Sequence, residues 1–451
     1  MIVCPKCKHE NYIPGTRYCT KCGVKLKKQN KSIPQNDQLE RFISVPFDFN
    51  SQTISDNLFY GYEVNNCPLF VSHSGKWLWY VRGQSYPMEI EDAPENSRNR
   101  VIGIIHNDKT SPFVLIALRK LVFVYNSFTN SYMNVWVSTS DDQECTRMPV
   151  MIKIHEHSKT DYQYRILLIL NNKNDDLKKN KLVLKTYDLV REKRFTTNDP
   201  YEWCITEEKI IREFPLHGIK LILDPIYYEQ HYYIFMIARF TQKKLNKQML
   251  SGKLCQLNEN FKFAKNIDVK LSEKKLKSTI AFYQLNYNNN KIIFWADVDN
   301  NPQLWSLSLT EMRVSSYMSD NEKNTIDKTS PLCSVLCDGR YCLTFSDHED
   351  RLYVKSSHRS TIPQTVAQLP LENAFIPVSY GNTIFAVDNT KRNIIKYTFE
   401  KQSLNEKEIV DKSVEKLSTI CSNPVHANDR IFFLRGLHSS GKNSLRLECV
   451  S

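Results

Sequence analysis

The sequence predicts a mainly β chain in which sheets of about four strands recur roughly every fifty residues behind a small cysteine-bound module. Three observations predict it. Dense aromatic and β-branched runs return along the chain, as at residues 113–118 (FVLIAL), 164–170 (YRILLIL), 232–238 (YYIFMIA) and 291–296 (KIIFWA). Runs with period-two alternation follow many of them, such as 120–125 (KLVFVY) and 303–307 (QLWSL). Two Cys-x-x-Cys pairs, Cys4/Cys7 and Cys19/Cys22, stand near the start.

The N-terminal module comes first. Four soft thiolates in two close pairs are the donor set that Zn²⁺ takes in a closed, tetrahedral structural site. Gly23 follows the second pair, where a tight turn needs positive φ, and Pro5 stiffens the first. Tyr12, Ile13, Pro14, Gly15 and Tyr18 supply little apolar filling, so metal affinity has to provide the folding free energy of residues 1–28. A redox dithiol would need one such pair beside a βαβ unit, which is absent, so one structural Zn²⁺ held by Cys4, Cys7, Cys19 and Cys22 is expected. The segments CPKC and CTKCGVKL resemble the short N-terminal zinc ribbons that precede many bacterial and archaeal regulatory domains. That resemblance implies a four-cysteine site and no particular partner.

Charge is unevenly placed. Lys6, Lys8, Arg17, Lys21, Lys25, Lys27, Lys28 and Lys31 face Glu10 alone, so residues 1–31 hold +7 of the chain's +12. The rest is close to balanced and does not by its charge predict a polyanion ligand. Residues 29–39 are polar, contain Pro34 and lack apolar periodicity, which reads as a flexible linker. The other nine of thirteen cysteines are scattered, and no apolar leader precedes them. We read them as reduced, mostly buried thiols of a cytoplasmic protein, and the zinc-ribbon resemblance implies a prokaryotic one. No apolar run is long enough to span a bilayer, so no membrane partner is expected.

Residues 40–451 carry the repeated phrase. Its dense middle strands are 76–81, 113–118, 164–170, 232–238, 291–296, 340–345, 382–387 and 430–435. Near-continuous apolar strands fit burial on both faces, and alternating neighbours fit burial on one. Further strands are expected at 132–138, 191–197, 261–269 and 312–318, whereas 265–277 has helical composition without an apolar face. Four-stranded sheets at this period are the signature of β-propeller blades. The expectation is a single propeller of eight blades, or seven if one unit is misread. A strand near residues 41–49 would supply the outer strand of the last blade and close the ring. A pair of β-sandwiches is the rival architecture.

Chemical constellations are sparse. Residues 436–443 (GLHSSGKN) approach a phosphate loop, but Asn443 replaces the magnesium-binding hydroxyl and no helix follows, so a hairpin turn is expected. Cys333, Cys337 and Cys342, with His348 nearby, suggest buried strand cysteines before a second metal site. His155-Glu156-His157 and Asp347-His348-Glu349-Asp350 read as solvated turns, as do the lysine groups 178/179/181, 243/244/247 and 274/275/277. No ordered nucleophile, base and acid emerges, and no catalytic residue is assigned. The expected function is a non-enzymatic protein-interaction scaffold, with the ribbon as a tethered docking module and Tyr86, Trp203 and Tyr227 as candidate anchors. The alternative is nucleic-acid binding through Lys6, Lys8, Arg17, Lys21, Lys25, Lys27 and Lys28, with Tyr12 and Tyr18 for stacking. A propeller enzyme with a site at the channel is a third reading.

Overall fold

The structure is a computed structural model. It describes the strands set out below and the turn residues 58, 65–66, 73–76, 81–82, 87, 90–91, 93, 106, 111–112, 119–120, 127–130, 138–140, 142, 146–149, 173, 179–180, 206, 216, 223–225, 229–230, 259–262, 309–312, 393, 421–424 and 428–429. The chain divides into two compact units, one of residues Met1–Asp48 and Asn324–Ser451 and the other of residues Phe49–Lys323. No α-helix occurs among the described residues.

The first unit opens with β1 (Ile2–Val3) and β2 (Glu10–Asn11), a two-stranded antiparallel hairpin, and continues with β3 (Leu39–Pro46). The strand expected near residues 41–49 thus starts at Leu39, so strand pairing takes the last residue of the expected linker.

The Phe49–Lys323 unit builds five groups of antiparallel strands in chain order. The first is β4 (Phe59–Val64), β5 (Cys67–Ser72), β6 (Trp77–Tyr80) and β7 (Met88–Glu89). The second is β8 (Val101–Ile105), β9 (Phe113–Leu118), β10 (Leu121–Asn126) and β11 (Ser131–Val137). In the third, β12 (Gln143–Cys145) and β13 (Val150–His155) both pair with β14 (Tyr162–Asn172), which pairs with β15 (Lys181–Lys193); β16 (Tyr201–Ile205) and β17 (Lys209–Pro215) share the outer edge. In the fourth, β18 (Ile219–Ile222) and β19 (Ile226–Tyr228) flank β20 (His231–Gln242), followed by β21 (Lys247–Asn258) and β22 (Phe263–Leu271). The fifth places β23 (Leu276–Ser278) and β24 (Leu285–Tyr287) on β25 (Lys291–Val298), then β26 (Asn301–Ser308) and β27 (Arg313–Ser316). A short parallel pairing, Lys270 with Arg313, joins the outer strands of the fourth and fifth groups.

The first unit holds three more groups. These are β28 (Pro331–Cys337), β29 (Tyr341–Ser346), β30 (Arg351–Ser356) and β31 (Gln364–Gln368); then β32 (Val378–Tyr380), β33 (Thr383–Val387), β34 (Ile394–Glu400) and β35 (Ser403–Ile409). In the last, β36 (Ser418–Ile420) and β37 (Val425–Ala427) pair with β38 (Arg430–Ser439), and β39 (Lys442–Val450) lies between β38 and β3. The β3 register runs from Leu39 opposite Val450 to Pro46 opposite Ser444.

Counting the two short strands that pair with each of β14, β20, β25 and β38 as one broken first strand, seven of the eight dense runs fall on the second strand of a group. The exception is 76–81, which lies on β6, the third strand; the second is β5, residues Cys67–Ser72. Aromatic density marked the wrong strand, because both are buried and only pairing order separates them. The strand expected at 191–197 is instead an extension of β15 to Lys193 with β16 and β17 beyond it. Residues 265–271 lie in β22, so local helical composition yields to pairing with β21. The phosphate-loop look-alike is a hairpin, with His438 opposite Asn443 and Ser439 opposite Lys442.

Alternate side chains of one sheet enter two different cores. Val114, Ile116, Leu121 and Phe123 pack with Leu69, Val71 and Leu78 of the first group. Phe113, Leu115, Val122 and Val124 pack on the other side with Tyr164, Ile166 and Leu168 of the third. The third group then turns Leu167, Ile169, Leu182 and Leu184 toward Ile234, Met236 and Cys255 of the fourth. Phe235, Ile237 and Leu254 of the fourth meet Ile292, Leu307 and Val314 of the fifth. Each such side chain contributes about 1.5–3 kcal/mol on burial, which explains runs without polar alternation. Gly75, at φ +83°, makes the β5–β6 turn where a Cβ would come within 2.6 Å of Leu118.

The last group carries a charged centre. Arg435 donates from Nε to Glu448 at 2.8 Å, and Arg446 donates to the other carboxylate oxygen at 2.7 Å. Glu448 is fully buried and Arg435 nearly so. Replacing one partner strands the others in low dielectric. Glu448→Ala is therefore expected to lower stability by about 3–5 kcal/mol, read as a shift of the urea unfolding midpoint at constant slope.

Candidate functional site

The Phe49–Lys323 unit has two unlike ends. In each group the hairpins joining strands one to two and three to four emerge at one end, and the hairpin joining two to three at the other. Neighbouring groups share this orientation. Phe113, at the start of β9, packs edge-on against Tyr164 at 5.4 Å and Trp203 at 4.9 Å, while Gly75 and Leu118 meet at the opposite end.

The first end is aromatic. Its turns are rigid by local chemistry. Asn65–Asn66 and Glu229–Gln230 have positive φ at both positions, the pattern of a two-residue hairpin turn. Asn126 Oδ1 accepts the Phe128 and Thr129 N–H groups, and Asn258 Oδ1 accepts those of Asn260 and Lys262. Ser308 Oγ accepts the Glu311 N–H in the equivalent turn of the fifth group. These turns close with left-handed Asn130, Phe261 and Met312. Two exposed aromatics stand here, Phe128 on a turn at 74% and Tyr227 on β19 beside the Glu229–Gln230 turn at 54%. Tyr227 faces Tyr232 at 4.9 Å, Tyr232 faces Phe261 at 4.9 Å, and the Tyr227 hydroxyl donates to Glu259 at 3.2 Å. Burial first, then the Glu259 carboxylate, hold the Tyr227 phenol above its usual range.

Of the three candidate anchors, Tyr227 is exposed on this end. Trp203 is half-buried among Phe113, Tyr162 and Tyr164, so it packs one group on the next. Tyr86 lies outside the described residues. So do Cys4, Cys7, Cys19 and Cys22, and with them Lys6, Lys8, Arg17, Lys21, Lys25, Lys27 and Lys28. What is described of the module is the β1–β2 pairing, Val3 opposite Glu10, which brackets the segment containing Cys4 and Cys7. In the cysteine-rich hairpin, Cys337 stands opposite Tyr341 and Cys342 opposite Leu336, adjacent pair positions whose faces alternate. Glu156, His157 and the 347–350 turn lie outside the described residues. Among those described, no group of three metal-ligating side chains converges.

Sequence reading missed a recurrent break in the first strand. In the third, fourth and last groups this strand stops, bulges and resumes after a proline: Pro149, Pro225 and Pro424. The residue after the stop donates its N–H to the second strand each time, Thr146 to Ile169, Leu223 to Phe235 and Cys421 to Leu434. Such bulges re-aim polar groups. Here Arg147 Nε donates to the Ile222 carbonyl at 2.8 Å and the Met148 N–H to Asp224 Oδ1 at 2.9 Å, tying the third group to the fourth. Burial raises the Asp224 pKa against the opposing pull of the Met148 N–H and Arg147. Burial also pushes the Cys145 and Cys421 thiols up to about 12, so they are poor nucleophiles. Prolines inside apolar runs were the available signal.

The second end is charged. Glu144 accepts Arg119 at 2.8 Å and Lys173 at 3.2 Å. Lys120, buried, donates to the Ser140 and Gln143 carbonyls.

No family model matches the chain, and no curated protein matches it. Solved structures with a similar trace include a streptogramin B lyase, at 9% identity and TM-score 0.42, covering 92% of this chain and 99% of that one. Virginiamycin B lyase from Staphylococcus aureus aligns at 9% identity and TM-score 0.40, covering 78% and 95%. A chain of the mitotic checkpoint complex aligns at 10% identity and TM-score 0.37, covering 81% and 97%. Likeness of this degree assigns no activity to the chain.

Glu144 gives a pH test. Burial raises its pKa, but hydrogen bonds and charge from Arg119 and Lys173 more than offset this, and the net shift is downward. Its contribution is therefore present above the unfolded carboxylate value and lost as pH falls through the lower folded value. Thermal unfolding from pH 7 to pH 3 is expected to show a decline that Glu144→Gln flattens, with a cost at pH 7 of roughly 1–2 kcal/mol because both cations are part-exposed.

Proposed function

We propose that the chain is a non-enzymatic interaction platform: a β-propeller of eight blades, with β3 as the strand that closes the last blade. The successive sheets sharing cores on both faces, and the β3–β39 pairing, support that arrangement. The aromatic end of the Phe49–Lys323 unit holds a protein partner. The observation that carries this reading is the pair Phe128, exposed on a turn fixed by Asn126, and Tyr227, exposed on β19 beside the left-handed Glu229–Gln230 turn. Order in the free state lowers the entropic cost of binding, and exposed Tyr and Phe anchor interfaces well. Phe128→Ala with Tyr227→Ala in the full chain is expected to weaken a captured protein partner by at least about tenfold, with the unfolding midpoint nearly unchanged. Unaltered capture by the double variant would count against this end as the docking surface.

The N-terminal module adds a tethered docking site. Cys4, Cys7, Cys19 and Cys22 would hold one Zn²⁺, and the β1–β2 pairing around Cys4 and Cys7 suits a metal knuckle. The ion would serve folding of the module alone, and no catalysis is assigned to the chain. Metal analysis is expected to find about one zinc per chain. Cys4→Ser with Cys19→Ser should abolish it while leaving the main unfolding transition in place; zinc retained by that variant would place the metal elsewhere.

A further inference from the structure

Between the fourth and fifth groups, at the aromatic end, a polar side chain is buried without its full set of partners. Gln256 stands on β21 and is 7% exposed. Its Nε2 donates to the Tyr233 hydroxyl at 3.2 Å, but among the described residues its Oε1 accepts from none. A buried amide oxygen left this way costs free energy that the sheet does not return. Gln256 lies opposite Tyr233, and Tyr228 opposite His231, so all four take the face that the fourth group turns to the fifth. Their rings gather there, Tyr233 lying 6.5 Å from Tyr228 and 6.2 Å from His231. Met312, in the β26–β27 turn of the fifth group, packs against the same core.

The rim is acidic. Glu229 is exposed on the left-handed turn that joins β19 to β20, and its carbonyl accepts from His231 Nδ1 at 2.8 Å. Its carboxylate takes a hydrogen bond from Tyr228 and acts on the Tyr233 phenol as well. Lys265, opposite Gln256 on β22, acts on neither phenol.

We propose that this cleft seats the guanidinium of an arginine from the docked protein partner. The claim rests on the docking reading for the partner being a protein. Arginine carries five N–H donors and no acceptor. One donor meets Gln256 Oε1, others meet the Glu229 carboxylate, and the flat cation lies against the tyrosine rings. A lysine ammonium, compact and strongly hydrated, uses such a slot less well. Tyr227 and Tyr228 are neighbours on β19 with opposite faces. A partner segment resting on Tyr227 therefore passes the mouth of the cleft.

The test titrates the full chain with acetyl-arginine amide and with its neutral isostere, acetyl-citrulline amide. The arginine probe is expected to bind, and the citrulline probe at least about tenfold more weakly. Gln256→Leu with Tyr233→Phe removes the free acceptor and the hydroxyl beside it at nearly constant size. Arginine-probe binding should fall at least about tenfold, with the unfolding midpoint unchanged or higher, because no polar group is left unmet. Glu229→Gln should narrow the gap between the probes. Wild type that ignores the arginine probe at about 10 mM would mean that water alone serves Gln256, and overturns the proposal. Equal affinity for both probes, or full affinity in the double variant, overturns it too. Protein capture separates this claim from the one beneath it. Capture weakened by Phe128→Ala with Tyr227→Ala, but untouched by the Gln256 and Tyr233 changes, overturns the arginine seat alone. Probe binding that needs Gln256, with capture indifferent to Phe128 and Tyr227, upholds the seat and overturns the docking end.

Discussion

Face-to-face burial of adjacent sheets is the constraint on which the described structure depends. The strands β9 and β10 have no solvent face: their odd and even residues enter separate cores shared with the groups before and after. A sheet so placed cannot be stable alone, since either face would leave a full row of Leu, Ile, Val and Phe in water. Every inner strand is thus held by its neighbours, and polar groups are displaced to the ends. That displacement creates two unlike surfaces, one of capped aromatic turns and one of charged hairpins.

Charged chemistry inside this frame is structural where it is buried. Arg147 and Asp224 use a bulge in the first strand to join the third group to the fourth. Glu144 of the third group joins it to the second through Arg119. Arg435 and Arg446 both pair with Glu448 on β38 and β39. Each carboxylate sits among donors that satisfy it, and the buried thiols are held protonated. The residues left to meet a partner are those at turns, where the backbone is fixed and the side chain is not.

Several elements were readable in the sequence because one cause dominates them. Residues 113–118 and 164–170 announce strands buried on both faces, since only such strands tolerate unbroken apolar runs. The 436–443 segment was readable as a hairpin from the lack of a following helix. The first group was misplaced by one strand, because composition reports burial and not order: β5 and β6 are equally apolar. The broken first strands escaped notice because each piece is only a few residues long and its partner lies downstream.

The sequence by itself determined the strand content, the recurrence of sheets and the two Cys-x-x-Cys pairs at Cys4, Cys7, Cys19 and Cys22, all properties of local pattern. Tertiary structure alone decided that Trp203 is packing and Tyr227 is surface, that Pro149, Pro225 and Pro424 mark equivalent breaks, and that Lys173 and Lys247 belong to hairpins at one end. The reason is physical: alternation fixes which face a side chain takes within its strand, but the end of the sheet at which a turn emerges, and what lies beside it, follow from pairing between residues far apart in the chain.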